Sequence, residues 1–311
     1  MKNFLKHFII LFLFLTITLS GCGDFKGNYE EVETSTQILK FIGVGYQGYI
    51  LTSSDGVTWT SQNSNTVNTL QAVTYGNSTF VAVGLNETIL TSTDGFSWTQ
   101  RISETPDFLN GVTFGNSTFV IVGRANSGGG TILTSSDRVS WTSDSYSISL
   151  EDVVYANDIF MAVGHIGTVI TSNNGINWTA RRTDTSENLK GVVFGNGTYV
   201  AVGNNGTIIT SSDGITWSRK SVTSRTLFKV TYANNLFVIV GGNGTILTSS
   251  DGNSWTARTS GVSQHIRNIT FGNGNFLAVG LSGIILVSSD GISWTPRTAG
   301  TKELYSIIYK E

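Results

Sequence analysis

One cysteine, two prolines, two methionines and three histidines are all that 311 residues contain of these types. A single thiol excludes a disulfide framework and a cysteine-rich metal site. His165 and His265 fall in different parts of the chain with no cysteine nearby, so no metal centre is expected. Charged residues make up only 13%, with 19 Lys+Arg against 21 Asp+Glu. That balance lacks the basic footprint of a nucleic-acid-binding protein. No glycine-rich loop leads into a helix, since Gly128-Gly129-Gly130 sits between two strand-like pieces, and a phosphate-binding loop is excluded with it. Glycine is abundant instead, at 36 residues, a composition suited to short strands joined by tight turns.

Seven tryptophans organise the chain. Trp59, Trp98, Trp141, Trp178, Trp217, Trp255 and Trp294 recur at intervals of 37 to 43 residues. A strand-built unit of about 40 residues implies stacked blades. One complete unit shows four strand-like pieces, Leu189–Gly195, Thr198–Gly203, Thr207–Ser212 and Ile215–Ser218, each β-branched or aromatic and bounded by Gly or Asn. Four such antiparallel strands make one propeller blade.

Both ends of the chain are incomplete in complementary ways. The first unit opens at Lys40–Gly45 (KFIGVG), equivalent to a second strand, with no first strand before it. Leu304–Tyr309 (LYSIIY) matches the first strand Leu70–Tyr75 (LQAVTY) of the next unit. The fold expected is therefore all-β, a seven-bladed propeller over 39–311, closed by three N-terminal strands plus one C-terminal strand. Closure of this kind leaves no open sheet edge. The tryptophans belong to the core between adjacent sheets.

Turn chemistry repeats as well. Asn205-Gly206 and Asn243-Gly244 join second and third strands, and Asp-Gly pairs such as Asp55-Gly56 join third and fourth. Both dipeptides supply the positive φ angles of a type I′ hairpin. Two units depart from the pattern: Asn174 replaces the aspartate, and Asp137 is followed by Arg138, where strain or a different turn is expected. The loop between the second and third strands of that same unit, Arg124–Gly130, is longer than its counterparts.

The phrase Ser-Ser-Asp-Gly-Xaa-Thr-Trp, as in Ser53–Trp59 and Ser211–Trp217, resembles the Asp-box (BNR) repeat of sialidases and related propellers. It is also similar to the repeat of photosystem II assembly-factor-like propellers, some of which are lipoproteins. Here Gly follows Asp at once, whereas the common Asp-box carries one more residue between them. The resemblance covers about residues 39–311. It implies that Asp55, Asp94, Asp137, Asn174, Asp213, Asp251 and Asp290, with the seven tryptophans, are structural and take no part in chemistry.

The first 21 residues read differently. Lys2 and Lys6 precede an apolar run from Phe8 to Leu19, the layout of a secretory signal. Leu19-Ser20-Gly21-Cys22 resembles the bacterial lipobox, which implies cleavage before Cys22 and acylation of it, for example with palmitate. Residues 22–38 carry Glu30, Glu31 and Glu33 without alternation and read as a solvated tether. The expected location is the cell envelope, lipid-anchored in the membrane, at the outer membrane where the cell has two.

Chemistry should reside where the repeats stop agreeing. The position after the residue opening each first strand holds Gln71, Asn110, Glu151, Lys190, Phe228, Arg267 and Tyr305. First strands line a propeller's channel, so these residues should ring one mouth of it. Glu151, Lys190, Arg267 and Tyr305 form the candidate binding surface. Arg101, Arg181, Arg258 and Arg297 recur three residues after their tryptophans and belong to a solvated rim. Sialidase activity would require an arginine cluster, a Tyr paired with a Glu and an Asp acid; the Arg-Ile-Pro motif of that family is missing here, and the loops are too short to build its deep pocket. The function expected is non-enzymatic binding or scaffolding of a protein or glycan by a monomeric propeller, with no cofactor. Two alternatives stay open: a glycoside hydrolase or lyase-like enzyme using Glu151 or Asp152 with Tyr305, and an assembly factor for a membrane complex.

Overall fold

The computed structural model describes residues 39–103 and 107–311. The expected signal segment 1–21, the expected acylation at Cys22 and the expected tether 22–38 fall outside the described residues. Seven four-stranded antiparallel sheets are present among them. Numbered along the chain, blade 1 combines Leu304–Tyr309 with Phe41–Gly45, Ile50–Ser53 and Thr60–Gln62. Blades 2 to 7 span 70–101, 108–146, 150–181, 189–221, 227–258 and 266–298.

The ring closes as the end-complementarity predicts. Phe41 pairs with Tyr309, Ile42 with Ile308 and Gly43 with Ile307. The inner strand of each blade touches those of both neighbours, including blade 7 against blade 1 and blade 1 against blade 2. Each sheet therefore has its inner edge facing the channel and its outer strand facing solvent. Outer strands such as Ser218–Ser221 are exposed throughout, while second strands such as Thr79–Gly84 are buried throughout.

Seven apolar clusters fill the seven gaps between blades. One joins Ile42, Val44 and Ile50 of blade 1 to Phe80, Leu90 and Trp98 of blade 2, and another returns from Leu277 and Ile285 of blade 7 to Phe41 and Leu51 of blade 1. Trp98, Trp141 and Trp217 are buried in these gaps. Four of the tryptophans (98, 178, 255 and 294) also donate Nε1–H to the carbonyl of the residue three before, as Trp98 does to Gly95 at 3.1 Å. A large ring plus one satisfied donor explains why tryptophan suits this position.

Two turn expectations part company here. The second-to-third connections are tight, with Asn205 and Gly206 at φ 51° and 64°, the angles a type I′ hairpin requires. The Asp-Gly connections are not type I′ hairpins. Gly56 has φ 75°, but Asp55 does not adopt positive φ, and the loop runs from Ser54 to Trp59 before the outer strand starts at Thr60. The aspartate side chain organises this longer loop: Asp55 Oδ1 accepts from the Val57 and Thr58 amides at 2.7 and 2.8 Å and from Ser53 Oγ at 2.9 Å. Asn174 Oδ1 accepts from the corresponding Ile176 and Asn177 amides, both at 2.9 Å. Outer strands consequently begin after the tryptophan; in blade 5 the strand is Ser218–Ser221 and not Ile215–Ser218.

Arg138 keeps the glycine conformation at φ 70°, which an L-residue with a Cβ pays for in sterics. Its guanidinium Nη1 reaches the neighbouring blade, donating to the Asn77 carbonyl at 3.3 Å and to Thr79 Oγ1 at 3.2 Å. That cross-blade bond offsets part of the strain.

Candidate functional site

A β-bulge recurs in the inner strand of every blade, and it falls on the variable position. Leu150 pairs with Gly164 and Asp152 with Val163, so Glu151 has no partner across the ladder. The same step skips Gln71, Asn110, Lys190, Phe228, Arg267 and Tyr305. A bulge leaves one residue unpaired and re-aims its side chain. The glycine opposite is forced by close approach: a Cβ on Gly164 would lie 2.1 Å from the Ser149 carbonyl oxygen. Seven bulged side chains thus ring one end of the channel, beside the second-to-third turns.

On one side of this ring lies a charged cluster. Glu151 Oε1 accepts from Lys190 Nζ of the next blade at 2.6 Å and sits 2.7 Å from His165 Nε2. A carboxylate only accepts, so this contact places a proton on His165 Nε2. His165 comes from the second-to-third turn of the blade that carries Glu151. Asn110 Nδ2, one blade back, donates to the Leu150 carbonyl at 2.9 Å.

One step deeper, Asp152 is buried and accepts at Oδ2 from the Val192 amide at 3.0 Å and from Lys229 Nζ at 2.6 Å. Lys229 belongs to blade 6 and Asp152 to blade 4. The lysine crosses blade 5 above Gly191.

An aromatic and cationic group occupies the far side. The Arg267 guanidinium carbon lies 4.4 Å from the Phe228 ring centroid and 5.7 Å from that of Tyr305, the geometry of cation–π contact. Arg267 Nε is buried without a hydrogen-bond partner. Tyr305 donates its hydroxyl to Glu303 Oε2. Burial pushes the Tyr305 hydroxyl up to about 12, the Glu303 hydrogen bond and charge add to the rise, and Arg267 opposes it. His265 Nδ1 accepts from the Asn243 amide at 3.0 Å.

Of the four candidate binding residues, the ring brings Glu151 to Lys190 and Arg267 to Tyr305. It places the two pairs apart, since Glu151 and Tyr305 stand on blades 4 and 1. His165 and Lys229 are further members. Comparing the residue that follows the second-strand glycine across units (Tyr46, Leu85, Arg124, His165, Asn204, Gly242, Leu281) exposes a second variable ring, and His165 belongs to it. The recurring arginines have a different role: Nε of Arg101, Arg181 and Arg258 donates across the strand pair to Thr91, Thr171 and Thr248, each at 2.9 Å. No group of three or more metal-binding side chains occurs among the described residues.

The model of a family described as the DUF6242 beta propeller domain matches residues 153–259. No curated protein matches the sequence. Solved structures similar to this chain include one titled YCF48 bound to D1 peptide, 16% identical over 87% of this chain and 93% of that one, with a TM-score of 0.62. YCF48 from Cyanidioschyzon merolae is 16% identical over 75% of this chain and 86% of that one, with a TM-score of 0.58. The WD40 beta propeller domain of Doa1 is 13% identical over 77% and 86%, with a TM-score of 0.62. At these identities the likeness is one of fold.

Proposed function

We propose that this chain is a non-enzymatic binding propeller, held at the cell envelope by acylated Cys22, whose channel mouth docks a protein partner. The observation that carries this reading is the ring of seven bulges. Seven otherwise repeated blades place seven different side chains at one equivalent, re-aimed position, and differ there more than anywhere else on the inner strands. A surface with acidic, basic, amide and aromatic groups in fixed order suits recognition of another surface.

Chemistry at the same mouth is disfavoured by how the carboxylates are held. Glu151 is engaged by Lys190 and His165, and Asp152 by Lys229 and a backbone amide. Tyr305, with its hydroxyl pushed up to about 12, stays protonated at neutral pH and is three blades from Glu151. A nucleophile and its acid need hydrogen-bond reach of one reacting centre, and these residues do not share one. A peptide complex of another propeller with this fold adds support for a protein as the partner.

Co-purification from detergent-solubilised membranes tests the proposal. The full-length chain should bring down a stoichiometric protein, and the variant carrying Glu151→Ala, Lys190→Ala, Arg267→Ala and Tyr305→Ala should not. Turnover of chromogenic glycosides or sialosides, abolished by Glu151→Ala, would replace binding with catalysis.

A further inference from the structure

One turn at the mouth breaks a rule that its counterparts keep. In six blades the second-to-third turn holds non-glycine residues in the left-handed region: Gln47, Asn86 with Glu87, Ile166, Asn205, Asn243 and Ser282, with φ between 51° and 59°. All but Ile166 are polar. Ile166 is β-branched, and a β-branched residue at positive φ is a true outlier with a steric cost.

Packing gives nothing back for that cost, because Ile166 is 65% exposed. The turn is nonetheless fixed from several directions. His165 N donates to the Ser149 carbonyl at 2.9 Å, Gly167 N to the Glu187 carbonyl at 2.9 Å and Thr168 N to the His165 carbonyl at 3.0 Å. Ile166 N donates to Asn188 Oδ1 at 3.1 Å, while the His165 ring holds Glu151. A strained residue persists where its surroundings over-determine it, and such residues collect at ligand clamps.

We infer that Ile166 is the apolar anchor of the mouth interface, presented for insertion into an apolar recess of a folded protein. The rim of that recess carries a basic and an acidic group, complementary to Glu151 and Lys190 beside the anchor. The inference rests on the reading that the mouth docks a protein. A lone branched aliphatic side chain on a locked turn fits a socket, because its ordering cost is already met before binding. A buried anchor ringed by polar contacts is also how interface energy concentrates. Sugars stack instead on aromatic faces. A bilayer would need apolar neighbours, and the corresponding turns on adjacent blades offer Asn205 and the polar loop around Asn126.

The test uses the full-length lipidated chain in its own membranes, with the photo-crosslinking residue p-benzoylphenylalanine at Gln71, a bulge of the docking mouth away from the Ile166 anchor. Ile166→Asn should raise Tm by about 2–4 °C as the steric cost is released, yet reduce the crosslinked protein at least about tenfold. Ile166→Leu should retain the crosslink. A variant that is more stable but no longer binds cannot be explained by a structural role. If Ile166→Asn keeps the crosslink or fails to raise Tm, the anchor is wrong while mouth docking stands. Absence of any protein crosslink from Gln71 in the unmodified chain overturns mouth docking, and the anchor with it.

Discussion

Lys229 and Asp152 form an ion pair at 2.6 Å across a blade that belongs to neither. The crossing depends on Gly191, whose missing side chain leaves the path open. A Cβ there would lie 2.8 Å from the Phe228 carbonyl oxygen and 3.0 Å from Lys229 Cα. Three inner strands are therefore tied together at the floor of the mouth. The Glu151–Lys190 pair above them joins neighbours only.

Removing the two lysines should have unequal consequences. Lys229→Met leaves Asp152, whose side chain is 10% exposed, with one backbone donor and no counter-charge, at a cost of about 1–3 kcal/mol. Lys190→Met leaves the more exposed Glu151 with His165 and should cost under about 1 kcal/mol. Gly191→Leu should resemble Lys229→Met or exceed it. Urea unfolding of the three variants checks the order.

Acid should loosen the aspartate-held loops between third and fourth strands over a defined window. Amide hydrogen bonds hold Asp55, Asp137, Asp213 and Asp290 at about 2, below the ordinary 3.8. In Asp94 burial works against the lowering, and the amides of Ser97 and Phe96 outweigh it to give about 2; Asp251 is lowered as well. A depressed folded-state value means the contribution is complete above the unfolded value near 3.8 and is lost as pH falls towards 2. Tm should therefore drop between about pH 4 and pH 2. Asp213→Asn, which copies the natural Asn174 loop, should make that drop shallower and lower Tm slightly at pH 7, where the charge-assisted bonds of the carboxylate are lost.

Arginine and glycine are not exchangeable in both directions at the loop position after the aspartate. Arg138→Gly relieves the left-handed strain but forfeits the contacts to Asn77 and Thr79, so stability should stay within about 1 kcal/mol of the parent. The reverse change in the next blade, Gly175→Arg, puts a Cβ 2.8 Å from Val120 Cγ2 and should cost more than about 2 kcal/mol. Thermal unfolding of both variants measures the asymmetry.

Two tryptophans should respond differently to loss of the indole nitrogen. Trp98 donates to the Gly95 carbonyl, whereas Trp217 Nε1 is buried without a partner. Trp98→Phe should be the more destabilising by about 1 kcal/mol, read from denaturant midpoints at equal slope.

Ring closure was legible in the sequence because a first strand is missing before Phe41 and a spare one stands at Leu304. The mouth was legible as a column of disagreement at Glu151, Lys190, Arg267 and Tyr305. That this column is a bulge was not, because a skipped ladder partner leaves no trace in residue type. The Lys229–Asp152 pair was hidden for another reason: it joins units two apart and depends on a side chain that Gly191 lacks. His165 carries no sign of its role in the sequence, because only the folded turn brings its ring to Glu151. The outer strand of blade 5 begins later than its strand-like composition at Ile215-Thr216-Trp217 implies, because the Ile215 and Thr216 amides are claimed by the Asp213 carboxylate.

Docking at the channel mouth is read out by hydrogen exchange on the co-purified complex against the free chain. Protection gained at Leu150–Ala156 and at the 165–168 turn, with the Ser53–Trp59 loop and its equivalents unchanged, is the predicted result. Protection confined to those aspartate-held loops, with the bulged strands exchanging as in the free chain, would contradict it.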